Sequence, residues 1–176
     1  MAASAYFEAF PALLRPGDPS IEFKGRTRRP PRDPVNAVLS FLYTLLRFDC
    51  SSALEGVGLD PQVGYLHSLR PGRPALALDL MEELRPILAD RLTLTLINRR
   101  QLSKIDFEFR SGGSVFLNEK GRKTVIPAWQ KRKQEEAIHP VLKKKVPWGL
   151  LPHIQAQLLA RYLRGDMEEY VPFLWR

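Results

Sequence analysis

Asp33-Pro34, followed by the run Val35-Asn36-Ala37-Val38-Leu39-Ser40-Phe41-Leu42-Tyr43-Thr44-Leu45-Leu46, constrains this chain more than any other feature. Aspartate is a preferred helix N-cap, and proline suits the first helical position, where an N–H has no intrahelical acceptor. The spacing predicts a helix from Val35 to about Phe48, with Val35, Val38, Leu39, Leu42, Leu45 and Leu46 as its apolar stripe. Such a stripe has to be covered by other elements. Asn36, Ser40 and Tyr43 lie on another side, where they either satisfy a neighbouring backbone, the commoner outcome, or line a polar cleft.

The chain has 176 residues, enough for one domain with a real core, so 1–176 is expected to be a single helical domain. Lys and Arg outnumber Asp and Glu by 27 to 19, which points to a polyanionic partner, nucleic acid or an anionic membrane surface. The cations are spread over loops and several helices rather than along one amphipathic face, and no run of 18 or more apolar residues exists, so no membrane partner is expected. Cys50 is the only cysteine, which rules out an intramolecular disulfide and points to a reducing cytoplasm. Leu45, Leu46 and Phe48 beside it suggest a buried small hydrophobe rather than a nucleophile.

In chain order, Ala2 to Phe10 reads as an alanine-rich helix with no capping residue ahead of it, ended by Pro11 and the Arg15-Pro16-Gly17-Asp18-Pro19 cluster. Residues 15–33 form a basic, proline-stiffened loop. Its Lys24, Arg26, Arg28 and Arg29 are either a solvated charge run or a strip that contacts phosphates. A short helix over residues 50–60 closes on glycine. A helix from about Pro74 to Leu96 breaks at Pro86 and restarts there. Phe107 to Leu117 alternates around Gly112-Gly113, a short β-hairpin and the only sheet expected. A basic helix from Lys120 turns Val125, Trp129 and Ile138 inward, Lys143-Lys144-Lys145 is a loop, and a last helix spans Leu151 to Arg164. The aromatic end, Tyr170 to Trp175, is expected to dock back on the body. The fold class is therefore mainly α, with at most one short β-hairpin.

Residues 64–86 bring together a different set of groups. His67 precedes a rigid Arg70-Pro71-Gly72-Arg73-Pro74 turn, after which Leu76, Leu80 and Leu84 keep a four-residue spacing while Asp79, Glu82 and Glu83 occupy another face. A histidine and a carboxylate face meeting across a turn suit a divalent metal, with carboxylate oxygens, an imidazole and positions open to water or phosphate. The plain alternative is a surface turn with acids solvated near a helix N-terminus.

Gly58-Leu59-Asp60-Pro61, Gly64-Tyr65-Leu66-His67 and Asp79-Leu80-Met81-Glu82-Glu83-Leu84-Arg85-Pro86, taken with the Asp33 to Tyr43 helix, resemble the CRISPR-associated spacer-acquisition endonuclease (integrase) family. Arg28-Arg29-Pro30-Pro31 and Pro172-Phe173-Leu174-Trp175 look most like its type I-C branch, and the likeness runs over nearly the whole chain. It implies the helical C-terminal, metal-binding catalytic domain of a Mg²⁺- or Mn²⁺-dependent DNA endonuclease that inserts spacer DNA into a CRISPR array, in antiviral defence. His67 and Asp79 would be the metal ligands and catalytic residues, Glu82 and Glu83 carboxylates supporting them, and Lys24, Arg26, Arg28 and Arg29 the DNA contacts. The family's third ligand, a glutamate, would lie upstream of Met1, along with its N-terminal β-rich domain, so this stretch alone is expected to be weakly active or inactive. The implied partners are DNA, a small dimeric protein of the adaptation complex and, in the full-length family, a second copy of the chain. A non-catalytic helical DNA-binding or assembly module is the alternative.

Overall fold

Asp33 starts the longest helix as its sequence predicts. Its Oδ1 accepts the Asn36 backbone N–H at 2.8 Å, the N-cap bond that satisfies one donor of the first turn. In the computed structural model, which describes residues 2–15 and 21–174 (side chains from Ala5 on), this helix, α2, covers Pro34–Gly56. It runs through Cys50 without a break, so the separate helix expected at 50–60 is its continuation. Nothing between Phe48 and Glu55 interrupts it, and the first left-handed residue is Gly58 (φ 79°). Val35, Val38, Leu39, Leu42 and Leu46 are fully buried, whereas Leu45 is only half-buried.

The other α-helices among the described residues are α1 (Ala2–Ala9), α3 (Ala75–Leu84), α4 (Arg91–Asn98), α5 (Glu119–Gln134) and α6 (Leu151–Leu163). The break expected at Pro86 does not occur. Without an N–H the proline cannot donate to the preceding turn, and the chain continues through a π-helical turn, Arg85–Asp90, into α4. Strands β1 (Phe107–Phe109) and β2 (Val115–Leu117) form the expected antiparallel hairpin, with Glu108 opposite Phe116. A second hairpin joins β3 (Glu136–Ile138) to β4 (Lys145–Pro147), with Ala137 opposite Val146. Ile138 is therefore an exposed strand residue, not an inward helical one, and Lys145 lies in a strand. Among the described residues the architecture is mainly α, with two small hairpins rather than one.

The residues gather into two compact units, Met1–Leu42 with Asp90–Gln130, and Tyr43–Ala89 with Lys131–Arg176. In the first, Phe7, Phe10 and Phe23 form an aromatic cluster with centroids 5.2–6.5 Å apart, and Tyr6 donates its hydroxyl to Asp90 at 2.9 Å. In the second, Lys133 pairs with both oxygens of Asp49 at 2.9 and 3.0 Å, and the Arg132 guanidinium lies 4.6 Å from the Trp148 ring centroid. Cys50 is completely buried, and burial first, then the charges of Asp49 and Glu83, push its thiol pKa far up, as expected of a packing residue. By length and composition α2 is apolar enough to cross a bilayer (Pro34–Glu55, mean hydropathy 1.2). Its buried stripe and its paired Asp49 instead mark it as a core helix. The expected turn at Pro16-Gly17-Asp18-Pro19, and Trp175 in the docking C-terminus, lie outside the described residues.

Candidate metal centre

The site begins with a close approach. Gly64 packs so tightly that a Cβ there would lie 2.6 Å from the Ala75 carbonyl carbon and 2.8 Å from Asp79 Oδ2. Only glycine fits, and it lets the 65–67 loop fold over the first turns of α3. Asp79 then gathers that loop. Its Oδ2 accepts the backbone N–H groups of Tyr65 (2.6 Å) and Leu66 (3.0 Å), while Oδ1 takes the backbone N–H of His67 (3.0 Å) and lies 2.6 Å from the ring Nδ1. Burial raises the Asp79 pKa, but the hydrogen bonds from Leu66, the His67 ring, Tyr65 and the His67 backbone together outweigh it and hold the carboxyl below its usual range.

An ionised carboxylate only accepts hydrogen bonds, so the proton in the His67–Asp79 bond belongs to Nδ1. That fixes the ring tautomer and turns Nε2 away from Asp79. Nε2 faces Glu82 Oε1 at 3.7 Å, beyond hydrogen-bonding distance. The Arg85 guanidinium, stacked 5.2 Å from the Tyr43 ring centroid, pairs with the same Glu82 oxygen. An imidazole nitrogen and a carboxylate are donors of the kinds that divalent cations take. The donor set therefore suits a divalent cation, although among the described residues no group of three or more His, Cys, Asp or Glu side chains is arranged to hold one.

Glu83 is not part of this group. One of its oxygens accepts the Tyr170 hydroxyl, and Oε2 takes the Phe173 N–H and the Gln155 side-chain N–H, both at 2.7 Å. Gln155 Oε1 in turn meets His139 Nε2 at 3.0 Å, while His139 Nδ1 accepts the Val141 and Leu142 N–H groups at 3.2 Å. Burial outweighs these bonds and raises the Glu83 pKa. This network ties the C-terminal segment to α3, and only the aromatic character of Tyr170 and Phe173 hinted at it in the sequence.

The four basic residues expected on DNA divide in the structure. Arg28 and Arg29 are exposed, and Lys24 is exposed and paired with Glu22 at 3.1 Å. Arg26 turns inward instead: its guanidinium bonds Asn36 Oδ1 at 2.7 Å and the Thr27 carbonyl, and lies 5.8 Å from the Phe7 ring centroid. Asn36 completes the clamp by donating to the Gly25 carbonyl at 2.7 Å, so it is a satisfied core polar group. Lys24, Arg28 and Arg26 border a groove of about 620 Å³ floored by Phe7 and Phe23.

The profile of the CRISPR associated protein Cas1 family matches residues 1–131. A CRISPR-associated endonuclease Cas1 from Rhodospirillum rubrum is 61% identical over 99% of this chain and 51% of its own length. One from Leptospira interrogans is 49% identical over 99% of this chain and 68% of its own length. The chain thus spans about half the length of several curated relatives it matches. Among solved structures, a casposase bound to integration product superposes with a TM-score of 0.85 at 26% identity, covering 95% of this chain and 46% of the casposase. A Cas1 protein from Thermotoga maritima gives 0.82 at 30% identity, covering 93% of this chain and 50% of the other. A partial Cas6-RT-Cas1–Cas2 complex gives 0.79 at 28% identity, covering 98% and 50%. Profile, curated relatives and superpositions agree, and the chain belongs to the CRISPR-associated Cas1 family.

Proposed function

We propose that this chain is the catalytic part of a metal-dependent DNA endonuclease and integrase that inserts spacer DNA into a CRISPR array, with His67 and Glu82 holding Mg²⁺ or Mn²⁺. The observation that carries the assignment is the Asp79 carboxylate, which fixes the His67 tautomer and directs Nε2 toward Glu82. It also revises the expected roles. With both Asp79 oxygens occupied by the 65–67 loop, the carboxylate ligand is Glu82, and Asp79 becomes the residue that positions the imidazole. Glu83, engaged elsewhere, supports the C-terminal segment rather than the metal.

A bound Mg²⁺ or Mn²⁺ supplies Lewis acidity at the scissile phosphate and lowers the pKa of the attacking hydroxyl. Within the chain, His67 and Glu82 would contribute one neutral and one anionic donor, and Arg85 pairs with Glu82 and shares its charge. Lys24, Arg28 and Arg29 hold the DNA backbone by charge, without reading sequence, while Arg26 braces their loop. The partners proposed are DNA, a Cas2-like small protein and a second copy of the chain, in the cytoplasm.

The test is cleavage of a branched DNA by this chain, with Mn²⁺ or with chelator. Wild type is expected to cleave only with metal, and His67→Ala and Glu82→Gln to lose that activity together, since groups that act as a unit are not additive. Cleavage that survives both substitutions would overturn the assignment. Tight DNA binding with no metal-dependent cleavage by any of these proteins would support a non-catalytic assembly module instead.

A further inference from the structure

Helix α6 carries a second polar face that neither the metal pair nor the 24–29 loop uses. His153, Gln157, Arg161 and Arg164 follow one another at intervals of four, four and three residues and so lie along one side of the helix. Leu151, Gln155, Leu158 and Leu159 are buried on the other side. The polar stripe lines a groove of about 530 Å³, whose remaining border is Gly56 and Val57 at the end of α2, with Ala160 leaving space along the helix. Among the described residues that line it, none is a carboxylate.

The chemistry of this groove is that of a polyanion site. Two guanidiniums that stay charged at any physiological pH, a carboxamide and an imidazole offer many donors, and the stripe runs roughly 16 Å along the helix at 1.5 Å per residue. That is too long for a single small anion and suits a chain of phosphates. Arg164 is held by Asp166 at 2.9 and 3.0 Å, but both side chains are well exposed. An exposed pair of this kind is worth little and exchanges readily for a phosphate.

We infer that the α6 groove binds the phosphodiester backbone of a nucleic-acid strand, as a contact additional to the 24–29 loop and independent of metal. The choice of nucleic acid as the polyanion rests on the DNA-handling function proposed above.

The test is fluorescence anisotropy of labelled single-stranded and duplex DNA, of one length, without divalent metal and across a salt series. Arg161→Glu/Arg164→Glu is compared with two pairs of equal charge change, Arg28→Glu/Arg29→Glu in the loop and Arg99→Glu/Lys131→Glu at exposed positions outside both sites. The groove pair is expected to weaken binding by about 10-fold or more and to lower the salt slope by about 2, close to one unit per lost phosphate contact. The Arg99/Lys131 pair should weaken it by less than about 3-fold, the share of general electrostatic attraction, and Arg161→Lys/Arg164→Lys should restore most of the loss. A larger loss on single strands identifies the ligand as one strand, and an equal loss identifies it as duplex; both support the site. If the groove pair behaves like the Arg99/Lys131 pair, the inference is wrong. If the groove pair weakens binding while the Arg28/Arg29 pair does not, the groove stands and the loop reading falls.

Discussion

At the scale of single residues, Gly64 and Asp79 decide whether a site exists at all. Gly64→Ala must push the 65–67 loop off α3, because the added carbon would overlap the Ala75 backbone and the Asp79 carboxylate. It should lower stability and Mn²⁺ affinity together, measured by thermal melting and by titration; an unchanged affinity would show that the loop does not set the imidazole. Asp79→Asn removes the charge that four donors share and should cost about 1–3 kcal/mol in denaturant unfolding, the usual loss for hydrogen bonds to a charged group. The two perturbed carboxylates also act in opposite directions with pH. Asp79 has a lowered folded pKa, so its contribution is present above its ordinary 3.8 and is lost as pH falls through the folded value. Glu83 has a raised folded pKa, so its contribution is complete below 4.5 and is lost as pH rises through the folded value. Glu83→Gln can still accept from Phe173 and donate to Tyr170. Unfolding free energies measured from pH 4 to 8 should therefore fall less steeply with pH in that variant than in wild type, and equal slopes would contradict the role assigned to Glu83.

At the scale of elements, α2 is the helix on which both units draw, and Leu42, fully buried within it, is the direct probe. Leu42→Ala should destabilise by about 2–5 kcal/mol, the range for truncating a buried leucine. An unchanged melting midpoint would mean the face is misplaced. The long periodic helices were legible because a cap, a proline and an apolar stripe agree, as at Asp33-Pro34-Val35. The short elements were not. The three-residue strands β3 and β4 are too brief for a period to show, and Lys143-Lys144-Lys145 reads as a loop. Pro86 is a legitimate helix-breaking signal, defeated here because the π-helical turn absorbs its missing N–H. At the site, the sequence put His67 and the acidic face of α3 together but could not rank the acids. Asp79, Glu82 and Glu83 lie within five residues and are chemically alike. Only the loop's backbone N–H groups, which converge on Asp79, and Tyr170 and Phe173, which converge on Glu83, separate their roles. The same limit explains Arg26, which composition alone cannot distinguish from Arg28 until Asn36 is seen to hold it.

At the scale of the whole molecule, a formal charge of +8 is consistent with a partner built of phosphates, and the exposed loop cations and the α6 groove are the two places proposed here for it. The central claim remains the metal pair, and Mn²⁺ titration of the 176-residue chain, followed by the loss of the free-ion electron paramagnetic resonance signal, tests it most directly. One imidazole and one carboxylate bind a dication weakly, so the wild-type isotherm should be shallow but saturable. His67→Ala and Glu82→Gln should abolish it, Asp79→Asn should weaken it by about 10- to 100-fold as loss of a carboxylate that orients a histidine ligand does, and Glu83→Gln should leave it unchanged. Wild-type binding by Glu82→Gln, with binding abolished in Asp79→Asn, would make Asp79 the ligand and contradict the arrangement proposed here.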